Sequence, residues 1–186
     1  MTAYETRATA EVLDELGEDA AVCELEFRHF GKQTCFAGPI ATVLCREDNV
    51  LVAEVLCSGG EGRVLVVDGG GSLRSALLGD RLASSAVANG WAGVVVNGAI
   101  RDIVALRKIA IGICALGASP RRSSKDGYGN MNVPVRFGGV SFVPGAMLYC
   151  DEDGLAVVQR DVSRQASEEE AATLLNSAGD ARRAAL

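Results

Sequence analysis

The sequence predicts a single α/β domain with a central, partly parallel sheet, crossover helices and additional short β-strands. Wholly apolar runs at 64–67, 93–96 and 113–116 read as buried strands, and segments of helical periodicity at 79–89 and 102–109 separate them. After Ser119 the pattern changes to short strand-like stretches joined by Gly and Pro turns. The length of 186 residues, 48% apolar and 23% charged, suits one domain over 1–160 and excludes a disordered chain.

The elements follow in order. Thr9 reads as the cap of a short amphipathic helix over 10–16, closed by Gly17. Strands are expected at 23–30 and 40–45, divided by a turn at Gly38-Pro39. A short helix at 49–56 is broken by Ser58-Gly59-Gly60-Glu61-Gly62, and strand 64–67 runs into Gly69-Gly70-Gly71. Helix 79–89 gathers Leu82, Ala83, Ala86 and Val87 on one side and ends at Gly90. Strand 93–96, helix 102–109 and strand 113–116 complete the alternation, which implies parallel strands with crossover helices. Residues 121–131 read as a polar surface loop, with strands after it at 133–137, 140–142, 146–150 and 155–159. The Ala-, Glu-, Ser- and Arg-rich residues 161–186 are expected to form a helical or disordered tail.

A net charge of −6 and a pI near 4.9 argue against direct nucleic-acid binding, which needs a basic surface. No apolar run approaches the ~18 residues of a membrane span. The acidic opening does not resemble a secretory signal, so a soluble, cytoplasmic protein is expected. None of the six cysteines forms a C-x-x-C pair, which speaks against zinc-ribbon and thioredoxin-like sites and for reduced, mostly buried thiols. The sole histidine, His29, lies in an alternating stretch and reads as a strand-surface residue rather than a catalyst. With one histidine, a Ser or Cys triad is poorly supported and a histidine metal cluster is excluded. Lys32, Lys108 and Lys125 give no sign of a Schiff-base lysine. Gly69-Gly70-Gly71 follows a strand but lacks both the dinucleotide spacing and a Walker lysine, so it reads as a tight turn.

The stronger constellation pairs Gly79-Asp80-Arg81-Leu82 with Arg101-Asp102. The first segment opens a helix, whose leading N–H groups lack intrahelical partners and can hold an anion. The second stands past a buried strand, at the end where parallel sheets place their ligands. One helix and one strand separate them, which returns the chain to the same sheet edge. A guanidinium suits a carboxylate, and two nearby acids suit Mg²⁺ or Mn²⁺. The plainer alternative also stands: Asp80 complements a helix dipole and Arg101–Asp102 is a surface ion pair.

Val64–Asp68 with the glycines after it, Gly79-Asp80-Arg81-Leu82-Ala83, Gly90-Trp91-Ala92-Gly93 and Gly98-Ala99-Ile100-Arg101-Asp102 resemble the family of regulator of ribonuclease activity A. Residues 117–125, Phe137-Gly138-Gly139-Val140 and Asp151-Glu152-Asp153-Gly154 extend the resemblance over about 8–158. That family includes divalent-metal 4-hydroxy-4-methyl-2-oxoglutarate aldolases, marked by Gly-Asp and, some twenty residues on, Arg-Asp. The resemblance implies a swivelling β/β/α-like arrangement and trimeric rings, as a homotrimer or a dimer of trimers, with sites at subunit interfaces. It implies that Asp102 binds the metal, Mg²⁺ or Mn²⁺, and that Arg101 contacts substrate and enolate. Gly79, Asp80, Arg81 and Leu82 would receive the pyruvyl carboxylate, and Asp80 would orient a water for proton transfer. The expected activity is cleavage of a small 2-oxo acid to pyruvate, with oxaloacetate decarboxylation through the same enolate. The alternative is a non-catalytic protein that binds a ribonuclease or a helicase.

Overall fold

A strand in which every residue is apolar needs cover on both faces, and that requirement organises this molecule. The computed structural model describes residues 4–159, so the tail expected over 161–186 lies outside them. The chain begins with α1 (Thr9–Leu16), a 3₁₀ turn (Gly17–Asp19), β1 (Ala20–Val22), β2 (Arg28–His29) and β3 (Phe36–Leu44). The alternating part contains α2 (Val50–Leu56), β4 (Val64–Asp68), β5 (Ala76–Leu78), α3 (Asp80–Ala88), β6 (Gly93–Ile100), α4 (Ile103–Leu106) and β7 (Gly112–Ala118). Five short strands follow: β8 (Asn130–Met131), β9 (Val135–Phe137), β10 (Val140–Phe142), β11 (Met147–Asp151) and β12 (Gly154–Val158).

β3, β4, β6 and β7 pair in parallel in that order, as the alternating pattern predicts. β11, β12 and β1 extend the sheet antiparallel beyond β3, while β2 closes the β7 edge. Alternate residues of the central strands enter two cores. Leu65, Val67, Val94, Val96 and Ile113 pack with α2–α4 residues such as Val52, Ala83 and Leu106. Val64, Val66, Val95 and Cys114 pack with Phe137, Phe142, Leu148 and Val157 of the β9–β12 layer.

Several expected boundaries change. Thr9 is not the cap: Ala8 holds that position, and the Thr9 N–H and hydroxyl both donate to the Asp151 carboxylate at 2.7 Å. The cap thus comes from β11, a contact invisible to local sequence. Gly38-Pro39 is no turn but lies inside β3, where the strand leaves β11 for β4. Proline's missing N–H is tolerated at such a change of partner. The strand expected at 23–30 reduces to β2, because Glu24, Leu25 and Glu26 are exposed and unpaired to any strand. Helix 102–109 reduces to the single turn α4, whereas strand 93–96 lengthens to Ile100.

The Phe36 ring lies against Gly93 and Gly112 of adjacent strands, and a Cβ on either glycine would overlap it. Gly112→Ala is expected to lower Tm by several degrees, since overpacking costs about 1–3 kcal/mol. Adding Phe36→Leu should recover part of that loss; strictly additive losses in thermal melts would refute the packing account.

Candidate functional site

β5 runs parallel to the end of β6, with Leu78 opposite Ile100, and the Arg101 N–H donates to the Leu78 carbonyl at 2.9 Å. Whatever follows the two strands is therefore held side by side. Gly79 follows one, and Arg101-Asp102 follows the other. A Cβ on Gly79 would lie 2.7 Å from Asp102 Oδ2 and 3.3 Å from Arg101 Cγ. Gly79 is extended (φ −143°, ψ −176°), so the site needs its lack of a side chain rather than its backbone freedom. Asp102 adopts a left-handed conformation (φ 62°, ψ 36°), which turns the chain abruptly from β6 into α4. Aspartate tolerates this better than most residues, at a cost of order 1 kcal/mol.

Arg101 Nε lies 3.3 Å from Asp102 Oδ2, with the two side chains 29% and 36% exposed. The ion pair anticipated from sequence therefore forms, within the same cleft as the other site residues. At the start of α3 the first helical bond runs from the Ala83 N–H to the Gly79 carbonyl. The Asp80, Arg81 and Leu82 N–H groups precede it and lack intrahelical partners. Arg81's N–H already donates to Asp80 Oδ1 at 2.8 Å, which leaves those of Asp80 and Leu82 for an anion. Gly79, Asp80, Arg81, Leu82, Arg101 and Asp102 all line one cleft of roughly 380 Å³. The structure thus brings together the six residues that the sequence proposed for this constellation. Asp80, Arg101 and Asp102 also border a larger opening of roughly 820 Å³ beside α4, where Val104 is 73% exposed. The partly exposed Asp102 carboxylate, with no side chain on Gly79 to fill the space beside it, offers a hard oxygen donor of the kind that fits Mg²⁺ or Mn²⁺.

Sequence reasoning missed Asn49, Arg122, Ser123 and Lys125, which complete the cleft wall. Asn49 precedes α2, and the loop of the other three runs beside β5, where Ala76 bridges to Arg122 and donates its N–H to the Arg121 carbonyl. Lys125 Nζ donates to Asn49 Oδ1, and Asn49 Nδ2 donates to the Leu77 carbonyl at 3.1 Å. The available signal was three cations after β7, at the same strand ends as Arg101. Asp48 pins this loop. It is 1% exposed, and its carboxylate accepts from the N–H groups of Val50, Asp126 and Gly127 and from the Ser124 hydroxyl. Burial pushes the Asp48 carboxyl upward, but these hydrogen bonds outweigh it and hold the group below the usual carboxylate range.

Two other sequence features find their places. The glycine cluster is a turn: Gly69 and Gly71 donate to the Asn97 carbonyl, and Gly70 to Asp68 Oδ1. His29 is half-buried rather than on an open strand surface, with Nδ1 3.4 Å from Cys114 Sγ. Cys23, Cys45, Cys114 and Cys150 are buried free thiols, whereas Cys35 and Cys57 are exposed.

Comparison with known proteins agrees with this architecture. Residues 9–157 match the family model described as RraA-like: Aldolase/RraA. A Geobacillus kaustophilus structure described as S-adenosylmethionine:2-dimethylmenaquinone methyltransferase is 47% identical, covering 85% of this chain and 98% of that one, with a TM-score of 0.82. The RNA-processing inhibitor RraA from Thermus thermophilis is also 47% identical, covering 83% and 93%, with a TM-score of 0.80. Streptomyces coelicolor RraAS2, described as an unusual member of the RNase ES inhibitor RraA family, is 30% identical, covering 94% and 88%, with a TM-score of 0.67.

Asp48→Asn should destabilise the fold by roughly 1–3 kcal/mol, because it leaves buried donors poorly matched. The parent's Asp48 contribution is full above the ordinary carboxylate pKa near ~4 and is lost as pH falls through the lowered folded value. The parent's Tm should therefore fall more steeply below about pH 4 than the variant's. Parallel Tm–pH curves for the two proteins would disprove the assignment.

Proposed function

The chain belongs to the RraA-like family, Aldolase/RraA, and from that premise we propose that it is a divalent-metal-dependent lyase for small 2-oxo acids. The carrying observation is that Gly79 and Asp80 meet Arg101 and Asp102 in one cleft, fixed by the β5–β6 register. On this reading the enzyme cleaves 4-hydroxy-4-methyl-2-oxoglutarate into two pyruvates and decarboxylates oxaloacetate through the same pyruvate enolate. Asp102 would hold the Mg²⁺ or Mn²⁺. When bound, the metal supplies Lewis-acid polarisation of the 2-oxo group and a sink for the enolate charge.

The chain's own groups do the rest. The N–H groups of Asp80 and Leu82 receive the 1-carboxylate at the positive end of α3. The Arg101 guanidinium faces the 2-oxo oxygen and stabilises the negative charge that grows there. Asp80 moves the proton, through a water it orients: the 4-hydroxyl proton leaves, C3–C4 breaks and its electron pair forms the enolate. Protonation of C3 then gives pyruvate. Arg122 and Lys125, which line the same cleft, suit the distal carboxylate of these dianions. The proposal includes assembly as a ring, a homotrimer or dimer of trimers, in which a neighbouring subunit would adjoin the larger opening beside Val104.

A second reading rests on the relatives described as RNA-processing or RNase inhibitors. In it the chain binds a ribonuclease or helicase and its acidic surface meets a basic partner segment. No methyl transfer is proposed, because the N–H groups of the glycine turn are engaged by Asn97 and Asp68.

Pyruvate release from oxaloacetate should vanish in a chelator and return with Mg²⁺ or Mn²⁺. Asp102→Asn should lose most of that rate while keeping the fold, since asparagine also tolerates the left-handed backbone. Full turnover in excess EDTA after metal stripping would overturn the lyase class. Asp80→Asn keeps the helix start and should melt like the parent. Its rate should still fall on the order of 10²–10⁴-fold, as for a lost acid/base group. A stable Asp80→Asn protein with parental turnover removes Asp80 from the mechanism, and an inactive parent favours the binding protein.

A further inference from the structure

We propose that His29, Cys114 and Cys150 form a second metal site that takes a borderline-soft cation, Zn²⁺ being the fitting ion. The three residues come from β2, β7 and β11, far apart in sequence, and all their ligand atoms lie within 4.8 Å of one another. Cys114 Sγ is 3.3 Å from Cys150 Sγ and 3.4 Å from His29 Nδ1. Tetrahedral zinc with its usual bond lengths sets ligand–ligand edges of about 3.5–3.8 Å, so the two edges from Cys114 lie within about half an ångström of that geometry, and the Cys150–His29 edge, no longer than 4.8 Å, closes by about 1 Å at most.

The hydrogen bonding also fits a ligand set. His29 Nε2 lies 2.8 Å from the Asp151 carbonyl, which can only accept, so Nε2 carries the hydrogen and Nδ1 turns toward the thiols. An outer hydrogen bond to a backbone carbonyl is how metal-binding histidines are held in one tautomer. The Cys114 thiol touches both the Cys150 thiol and the imidazole, so a cation bound between them displaces thiol protons to solvent.

A cleft of roughly 340 Å³ reaches the cluster and leaves room for a fourth ligand. Glu24, Glu26, Glu152 and Asp153 at its wall give the entrance a negative potential that draws cations. Spacing alone argued against such a site because the two cysteines are 36 residues apart. β11 and β7 bring them together through the interior beneath the sheet. This site does not depend on the lyase reading, and its ligands are chemically distinct from Asp80 and Asp102.

The test uses the reduced, metal-stripped full chain, titrated with Co²⁺ in excess Mg²⁺ that occupies any carboxylate site. One equivalent of Co²⁺ should give a thiolate-to-cobalt charge-transfer band, which one equivalent of Zn²⁺ then abolishes. Zn²⁺ alone should raise Tm by several degrees, because it ties three strands together. Cys35→Ser with Cys57→Ser, which removes the exposed thiols, should keep the band and the Tm shift. His29→Gln, at a half-buried position, should weaken Co²⁺ binding at least tenfold, and Cys150→Ala should abolish the band. The proposal falls if the parent gives no stoichiometric band, if the band survives unchanged in His29→Gln, or if it disappears with the two exposed thiols. Lyase activity of the parent is measured separately and bears on neither outcome.

Discussion

The candidate site depends on one stretch of parallel pairing, Leu78 of β5 against Ile100 of β6, closed by the Arg101 N–H on the Leu78 carbonyl. β6 pairs with β4 only as far as Asn97, where the Asn97 amide donates to Asp68 and the glycine turn carries the chain away. β5 then takes the vacated edge. The pairing of β6 with β7 is irregular between Val96 and Ala99, which places the irregularity at this change of neighbour. A slip of one residue would turn every side chain to the other face and part Gly79 from Asp102.

That register can hold because the strands beneath it are covered twice. Val66 and Val95 meet the β9–β12 layer, while Val67 and Val94 meet the helices. Burying one such side chain contributes about 1.5–3 kcal/mol, so the strand ends move little while the loops beyond them carry polar groups. The loop with Arg122 and Lys125 has few apolar contacts of its own. The buried Asp48 carboxylate replaces them with three hydrogen bonds, from Ser124, Asp126 and Gly127, and charge-assisted bonds of that kind are stronger than neutral ones.

The parallel centre was legible because its signal is local: β4, β6 and β7 are apolar runs, and α3 keeps one apolar side. Asp80, Arg101 and Asp102 were legible because strand ends and helix starts are where such folds bind ligands. β5 was not, since three apolar residues between a glycine turn and Gly79 carry no period. The Gly38-Pro39 dipeptide misled because its turn chemistry is overruled by β11 and β4 pairing on successive halves of β3. Thr9 misled likewise, because its capping carboxylate lies on β11. The convergence of His29 with Cys114 and Cys150 is tertiary in origin, and no spacing rule reaches it.

The two proposed donor sets also differ in kind, and they line different clefts. Asp80 and Asp102 lie at the carboxyl ends of β5 and β6, in a cleft that also holds Arg101, Arg122 and Lys125. In the proposed lyase, hard carboxylate oxygens there would take Mg²⁺ or Mn²⁺, and the nearby cations would take an anionic substrate rather than a second metal. Cys114 lies within β7, facing the β9–β12 core, where the surrounding groups are apolar and the entrance is acidic. A thiol and imidazole set of that kind selects against hard ions by softness rather than by size. On the two proposals, the same parallel strands would carry chemistry at their ends and a structural cross-link on one face, because alternate residues of β7 belong to different interiors.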